Sequence, residues 1–498
     1  MTSKSIIIIG AGVAGLSAGC YAQMNGFEVR IFEMHNLPGG LCTAWQRNGY
    51  TFDGCIHWLV GSSPRSGLYN IWQELGLIQG RQFLKNEYYA RAVDEQGNEL
   101  VIYTDIDRLE ENMLKLAPED ERLIKSFTHD MRALSKREIP LSPSLGNLLK
   151  MLPVLRLFSK YAMSIPEFSR NFRNSTLRKL FTSALEWHEM SMIFIMMNIA
   201  WMSNGSAAYP VGGSLPLAKS LEQRFLNLGG MVSYGSKVSK ILVENNEAVG
   251  IKLTDGTEHR ADIVISAADG HSTIFDWLEG KYLDEKTKNQ YESPPIFPPL
   301  VFVTLGVNAD LTKEPITLNF PLKNPVSIAG RRLDRITVRN HSFDPTLAPA
   351  GKTVLSCIVP SDYEYWTELG QERERYQAEK KNIQEAVVNA ISERYPNIRS
   401  RIETVDVATP LTYVRFTGNW RGSYQGWLFT KETMRMKNTF TLPGLSSFYM
   451  AGHWVVAGGG LPGAAISARR TIQMLCKNER VSFKTTIPLD SENRTRTQ

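Results

Sequence analysis

Three observations predict an α/β fold that opens on a Rossmann-like βαβ unit and extends over two or three domains. A run of four isoleucines, Ile6 to Ile9, leads into Gly10-Ala11-Gly12-Val13-Ala14-Gly15. A second strand, Glu28 to Glu33 (Glu-Val-Arg-Ile-Phe-Glu), closes on an acid 23 positions after Gly10. The chain has 498 residues, more than one hydrophobic core normally serves.

Ile6 to Ile9 leaves no room for polar alternation, so it reads as an interior strand of a parallel sheet covered on both faces. Gly10 permits a tight turn, and Gly12 removes the Cβ that would hold a pyrophosphate off the backbone. Gly15 lets the next helix lie close to the strand. That helix, about Val13 to Asn25, aims its free N–H groups and positive dipole end at the phosphates and stops at Gly26. Glu33 stands where a carboxylate accepts hydrogen bonds from an adenosine ribose diol and disfavours a 2′-phosphate. Glycine strings also make ordinary turns; strand, helix and acid together favour dinucleotide binding, with FAD and NAD both open.

Composition is that of a globular protein, 43% hydrophobic and 21% charged. The net charge of +6 comes from scattered Lys and Arg, which argues against nucleic acid and leaves an anionic membrane surface open. Five cysteines form no Cys-x-x-Cys pair, and no His cluster has ligand spacing. A disulfide framework, a zinc site and a dithiol centre are therefore not expected, no metal is expected, and a reducing compartment is. Ile6 to Ile9 is too short for a signal-peptide core, and Met190 to Met202, broken by Ser191 and Asn198, is too short for a membrane span. A cytoplasmic protein is expected.

Further along, Tyr89 to Val93 and Glu99 to Tyr103 read as a hairpin. Pro118 opens an acidic helix start that suits the N-terminal dipole. The segment Leu148 to Lys160 mixes apolar residues with Lys150, Arg156 and Lys160; it reads either as an interfacial membrane helix or as a core-facing helix kinked at Pro153. Trp187 to Met202 reads as core, or as the wall of a tunnel for a long apolar ligand. Leu217 to Leu228 is a helix, followed by strands near 231–233, 238–243, 248–253 and 261–269 with turns at Asn245-Asn246 and Asp255-Gly256. Strands are expected at Leu300 to Val307 and Thr353 to Val359, and a helix from Gln371 to Arg394 with Ile383, Val387 and Ile391 inward. Phe448 to Trp454 is a strand running into a turn, and Gly458 to Ala465 opens the last helix. Residues 479–498 read as a loose polar tail.

Several of these segments resemble the flavoprotein group of phytoene desaturases, carotenoid isomerases and retinol saturases, with amine oxidases as more distant members. They are Leu37-Pro38-Gly39-Gly40-Leu41-Cys42, Gly49-Tyr50-Thr51-Phe52-Asp53, Tyr209-Pro210-Val211-Gly212-Gly213, Asp262 to Asp269, Ala408 to Tyr413 with Arg421-Gly422, and Ala451-Gly452-His453 with Leu461-Pro462-Gly463-Ala464. Relatives often carry a basic residue after the GG pair, where this chain has Leu41, and an acid after Ala-Gly, where it has His453.

The resemblance implies FAD as cofactor and a discontinuous FAD domain of the amine-oxidase-like type (1–75, 205–275 and 440–478). A mixed α+β substrate domain (76–204 and 276–439) is inserted in it. The implied cofactor residues are Gly10, Gly12, Ala14, Gly15, Glu33, Gly39, Gly40, Leu41, Val238, Gly452, His453, Leu461, Gly463 and Ala464. No second GxGxxG follows a later strand, so electrons come or go by a bound substrate, a quinone, oxygen or a transient partner.

Candidate proton-handling groups are His57, His188, Glu189 and His453, with His57 and His453 ranked first; structural histidines are the alternative. The implied function is oxidoreduction at a carbon–carbon bond of a long apolar isoprenoid. The alternatives are cis–trans isomerisation with reduced FAD and a non-enzymatic carrier of the Rab GDP-dissociation-inhibitor kind.

Overall fold

The computed structural model describes residues 3–137, 145–292, 294–436 and 438–488. Ser5–Ile9 is the middle strand of a five-stranded, wholly parallel sheet in the order Met231–Ser233, Glu28–Phe32, Ser5–Ile9, Ile263–Ser266, Phe448–Met450. The continuous apolar run is explained by its two neighbours. Ile6 and Ile8 face the core shared with the helices Val13–Met24, Ser214–Asn227 and Gly460–Asn478, while Ile7 and Ile9 face the antiparallel meander Val238–Glu244, Glu247–Leu253, Glu258–Arg260. Asn245 and Asn246 have φ of 48° and 62°, the left-handed pair that a tight hairpin turn needs. Strand order reverses at Ser5–Ile9, so the crevice beyond its C-terminal end is the natural ligand position.

A second, seven-stranded sheet runs Ile402–Ala408, Leu300–Val307, Thr353–Pro360, Arg331–Asn340, Thr317–Ile328, Tyr88–Val93, Glu99–Tyr103. Every residue of Leu300–Val307 is buried, and the helix Arg373–Arg394 covers one face with Ile383, Val387 and Ile391. The hairpin at 88–103 forms as expected and carries a layer of helices that includes Met192–Ser203. Met192, Met196 and Met197 are buried in this core.

The long hairpin Thr317–Ile328 with Arg331–Asn340 is absent from the sequence reading. Pro321 and a bulge before Val326 break its alternation, and four arginines on the second strand disguise its buried face. Leu145–Lys160 forms one helix with Pro153 inside it.

The tail also differs from expectation. Lys484 donates its N–H to Asn25 Oδ1 at 2.7 Å, Asn25 Nδ2 donates to Lys484 O at 3.0 Å, and Arg224 Nη2 donates to Thr486 O at 2.7 Å. Phe483 lies 5.9 Å from the Tyr21 ring under Arg469. Residues 479–488 are thus fastened to the end of the first helix and to the helix Ser214–Asn227; 489–498 lie outside the described residues.

Candidate functional site

A cavity of about 470 Å³ opens at the end of the central strand, within the range of small-molecule and cofactor sites. Gly10, Gly12 and Ala14 line it, and a Cβ on Gly12 would meet nothing nearer than Gly39 O at 3.9 Å, so this glycine leaves the cavity open. Gly15 works from behind: its Cβ would stand 1.9 Å from Gly10 O. The helix Val13–Met24 has no side-chain cap and no acid in its first turn, so its first N–H groups remain available to an anion.

Glu33 is 7% exposed; Oε2 accepts from Ala11 N–H at 2.7 Å and Oε1 from His35 N–H at 2.8 Å. Burial raises its pKa and these backbone donors oppose the rise. Each oxygen keeps a further lone pair for a diol. Gly39 N–H donates to Ala11 O at 2.8 Å, and with φ of 107° and 60° Gly39 and Gly40 fold their loop onto the glycine turn. Leu41 and Val238 also line the cavity, and Lys237 is the one Lys or Arg among its described lining residues.

A second group of lining residues comes from the chain's last motif and from Tyr424-Gln425. Gly452, with φ 112°, donates its N–H to Ser467 Oγ at 2.9 Å. Gly458, Gly459 and Gly460 all have positive φ, and a Cβ on Gly459 would fall 2.6 Å from Gln425. This close approach lays the start of Gly460–Asn478, again without a side-chain cap, against the cavity beside Leu461 and Ala464. Gly463 lies outside the lining; its Cβ would face Val456 at 3.5 Å.

His453 lines the cavity, burial pushes its pKa down to about 4, and Nε2 has no partner among the described residues. The imidazole is neutral at pH 7. His57 does not belong here: its ring lines a separate, smaller cavity beside Arg339 and His341, which with burial push its pKa down. His188 and Glu189 are exposed, with His188 Nε2 on Thr182 O at 3.0 Å. Both are corrected from candidates to surface residues.

Two of the quoted motifs prove to be one contact. Asp53 Oδ1 accepts from Cys55 N–H at 2.9 Å, Ile56 N–H at 3.0 Å and Ser214 Oγ at 2.7 Å, and Oδ2 accepts from Ser214 N–H. A Cβ on Gly213 would lie 2.1 Å from Asp53 Oδ2. The sequence reading did not single out Asp269 as a site residue, although it closes a quoted strand. It is 3% exposed, accepts from Ser272 and Trp420 N–H at 2.8 Å each, and burial raises its pKa to about 6. Among the described residues no group of His, Cys, Asp or Glu is placed to hold a metal.

The donor set fits a dinucleotide: two uncapped helix starts, an opening where Gly12 lacks a side chain, and a buried acid with lone pairs to spare. Comparisons with known proteins agree. The chain is 24% identical over 438 residues to a chloroplastic prolycopene isomerase of Arabidopsis thaliana, covering 84% of this chain and 73% of that one. It is 25% identical over 525 residues to a 4,4′-diapophytoene desaturase of Methylomonas sp, covering 97% of each. The crystal structure of an oxidoreductase from Methanosarcina mazei shares the fold with a TM-score of 0.60 at 19% identity, over 94% of this chain and 100% of that one. The model of the flavin containing amine oxidoreductase family matches residues 13–473, which removes the carrier reading: the chain belongs to that family and is an FAD-dependent oxidoreductase.

Proposed function

We propose that the protein acts on carbon–carbon bonds of a long, apolar, conjugated isoprenoid, by desaturation or saturation. The observation that carries this is the lack of charge where His453, Tyr424, Gln425 and Gly460 line the cavity: His453 is held neutral, and burial keeps the Tyr424 phenol protonated. A neutral polyene needs shape there and no counter-ion. The isomerase and desaturase named above add support. Isomerisation without net redox is the second reading, favoured by the prolycopene isomerase likeness.

In this reading Gly10, Gly12, Ala14 and the first helix start take the pyrophosphate, with Gly15, Gly39 and Gly40 shaping the turn and Leu41 giving only apolar contact. Glu33 takes the ribose and Val238 the adenine. Gly452, Leu461 and Ala464, with Gly463 behind them, border the flavin ring. Bound FAD supplies two-electron redox chemistry. The last helix start offers N–H groups to negative charge on the ring, Tyr424 and Cys55 exclude water, and His453 Nε2 holds or releases a proton. The division into cofactor parts 1–75, 205–275 and 440–478 and substrate parts 76–204 and 276–439 follows the strands of the two sheets.

No helix among the described residues is long and apolar enough to cross a membrane. Leu152 and Leu155, 58% and 46% exposed beside exposed Arg156, instead suit peripheral contact with an anionic bilayer. Phe158 packs partly into the core and takes no part. Loss of co-sedimentation with anionic liposomes in Leu152→Ser/Leu155→Ser is the expected result; unchanged sedimentation removes this contact.

The test of function is a visible spectrum with identification of the released cofactor, then incubation with linear polyenes under reducing and oxidising conditions with mass detection. Products two mass units away are expected. Products of unchanged mass and altered geometry select isomerisation.

A further inference from the structure

Cys42 and Cys55 belong to no Cys-x-x-Cys pair, and their spacing predicts no dithiol centre. The fold nevertheless brings them face to face. In the hairpin of Ala44–Arg47 with Tyr50–Asp53, Ala44 stands opposite Asp53, and Gly54 N–H donates to Thr43 O at 3.0 Å, which carries the pairing one step further. The next facing residues are Cys42 and Cys55. They follow a hydrogen-bonded pair and so take a non-hydrogen-bonded position, where the Cα atoms of an antiparallel ladder stand about 4.5 Å apart, a separation that a disulfide spans.

One polar node holds both residues. Cys55 N–H donates to Asp53 Oδ1 at 2.9 Å, Cys42 Sγ donates to Ser214 O at 3.4 Å, and Ser214 Oγ donates to Asp53 Oδ1 at 2.7 Å. The two side chains hydrogen-bond, and this contact, ahead of burial, holds the Cys42 thiol protonated well above its usual range. Both are thiols in this structure, Cys42 being 2% exposed. Both line the large cavity, with Leu41, Tyr424 and His453; Cys20, Cys357 and Cys476 are not among its described lining residues.

Two thiols in contact close to a disulfide when an acceptor takes their electron pair, and the cavity that these two line is the cofactor's. Flavin is such a two-electron acceptor. Closure breaks both S–H bonds and forms one S–S bond. The two electrons and one proton pass to oxidised flavin, and the second proton goes to solvent. Dithiol and disulfide are both uncharged, so the exchange leaves no unpaired charge in a buried wall.

We propose that Cys42 and Cys55 are a second two-electron centre of this protein, a dithiol that closes to a disulfide by giving its electrons to bound oxidised flavin and reopens by taking them back. It stands on the FAD assignment and is independent of which substrate the protein acts on.

The test uses the FAD-loaded protein, oxidised with diamide, desalted and titrated anaerobically with dithionite while the flavin absorbance is followed. About four electrons per FAD are expected for the unaltered protein, and about two for Cys42→Ser and for Cys55→Ser. A second sample is reduced by light and EDTA, so that electrons enter through the flavin alone, then alkylated and mapped by mass spectrometry. Peptides joined through Cys42 and Cys55 are expected before illumination and separate, alkylated peptides after it. Uptake of about two electrons by the unaltered protein overturns the proposal, and that measurement needs no variant to fold. A disulfide that survives full reduction of the flavin, or uptake of about four electrons by either variant, also overturns it.

Discussion

In the larger cavity the groups offered to a ligand are mostly backbone N–H groups at the starts of Val13–Met24 and Gly460–Asn478, freed by glycines. The smaller cavity, about 70 Å³, is walled by side chains that include His341 and the largely buried pair in which Arg339 donates to Glu186. The contrast fixes what each site tolerates. A site made of backbone is indifferent to most substitutions around it and intolerant of a single added Cβ. A site made of paired charges tolerates added methyl groups better than it tolerates the loss of one partner.

The first way to break the comparison is Gly15→Val. With Gly10 O 1.9 Å from the new Cβ, the turn and helix must separate. A stability loss above about 4 kcal/mol and near-complete loss of bound FAD are expected, read from a urea midpoint and the flavin absorbance. Retention of FAD would mean that backbone proximity does not build this site.

Arg339→Met comes next. It strands the Glu186 carboxylate in a buried place, at a cost of about 3–5 kcal/mol, whereas adding Glu186→Leu should recover most of that loss. Equal midpoints for the single and double variants would show that the pair is solvated after all.

Asp269 sharpens the contrast, being a side chain buried among backbone donors. Its pKa of about 6 stands above the ordinary 3.8, so the folded state holds the proton more tightly than the unfolded one. The resulting stabilisation, about 3 kcal/mol, is complete below pH 4 and is lost as pH rises through 6. Midpoints of cofactor-free protein measured from pH 4 to pH 7 should fall by that amount relative to Asp269→Asn, which does not titrate there; parallel pH profiles would refute the shift.

The smallest effect lies away from both cavities. Ile391→Val, fully buried under the seven-stranded sheet, should cost about 1 kcal/mol and leave FAD content unchanged.

The same contrast accounts for what could be read from the chain. Backbone-built sites leave local marks, since glycines must recur at fixed offsets and their strands must be apolar throughout. The parallel sheet, the glycine turn, Glu33, the GG pair and the last helix were accordingly legible. The smaller cavity draws on His57, Glu186, Arg339 and His341, which only the folded chain brings together; Arg339 lies on the proline-broken hairpin and His341 follows it directly. His57 was noticed for its place beside a motif and lies in the other cavity. The fastening of 479–488 was hidden because Asn25 and Lys484 look like ordinary surface residues until the fold apposes them.

The Asp53 contact with Gly213 and Ser214 has a meaning for descent. Neither side admits a change alone: a larger residue at 213 collides with the carboxylate, and a smaller one at 53 abandons the N–H groups of residues 55, 56 and 214. Across diverging sequences these positions should therefore be inherited together or replaced together, although about 160 residues of chain separate them.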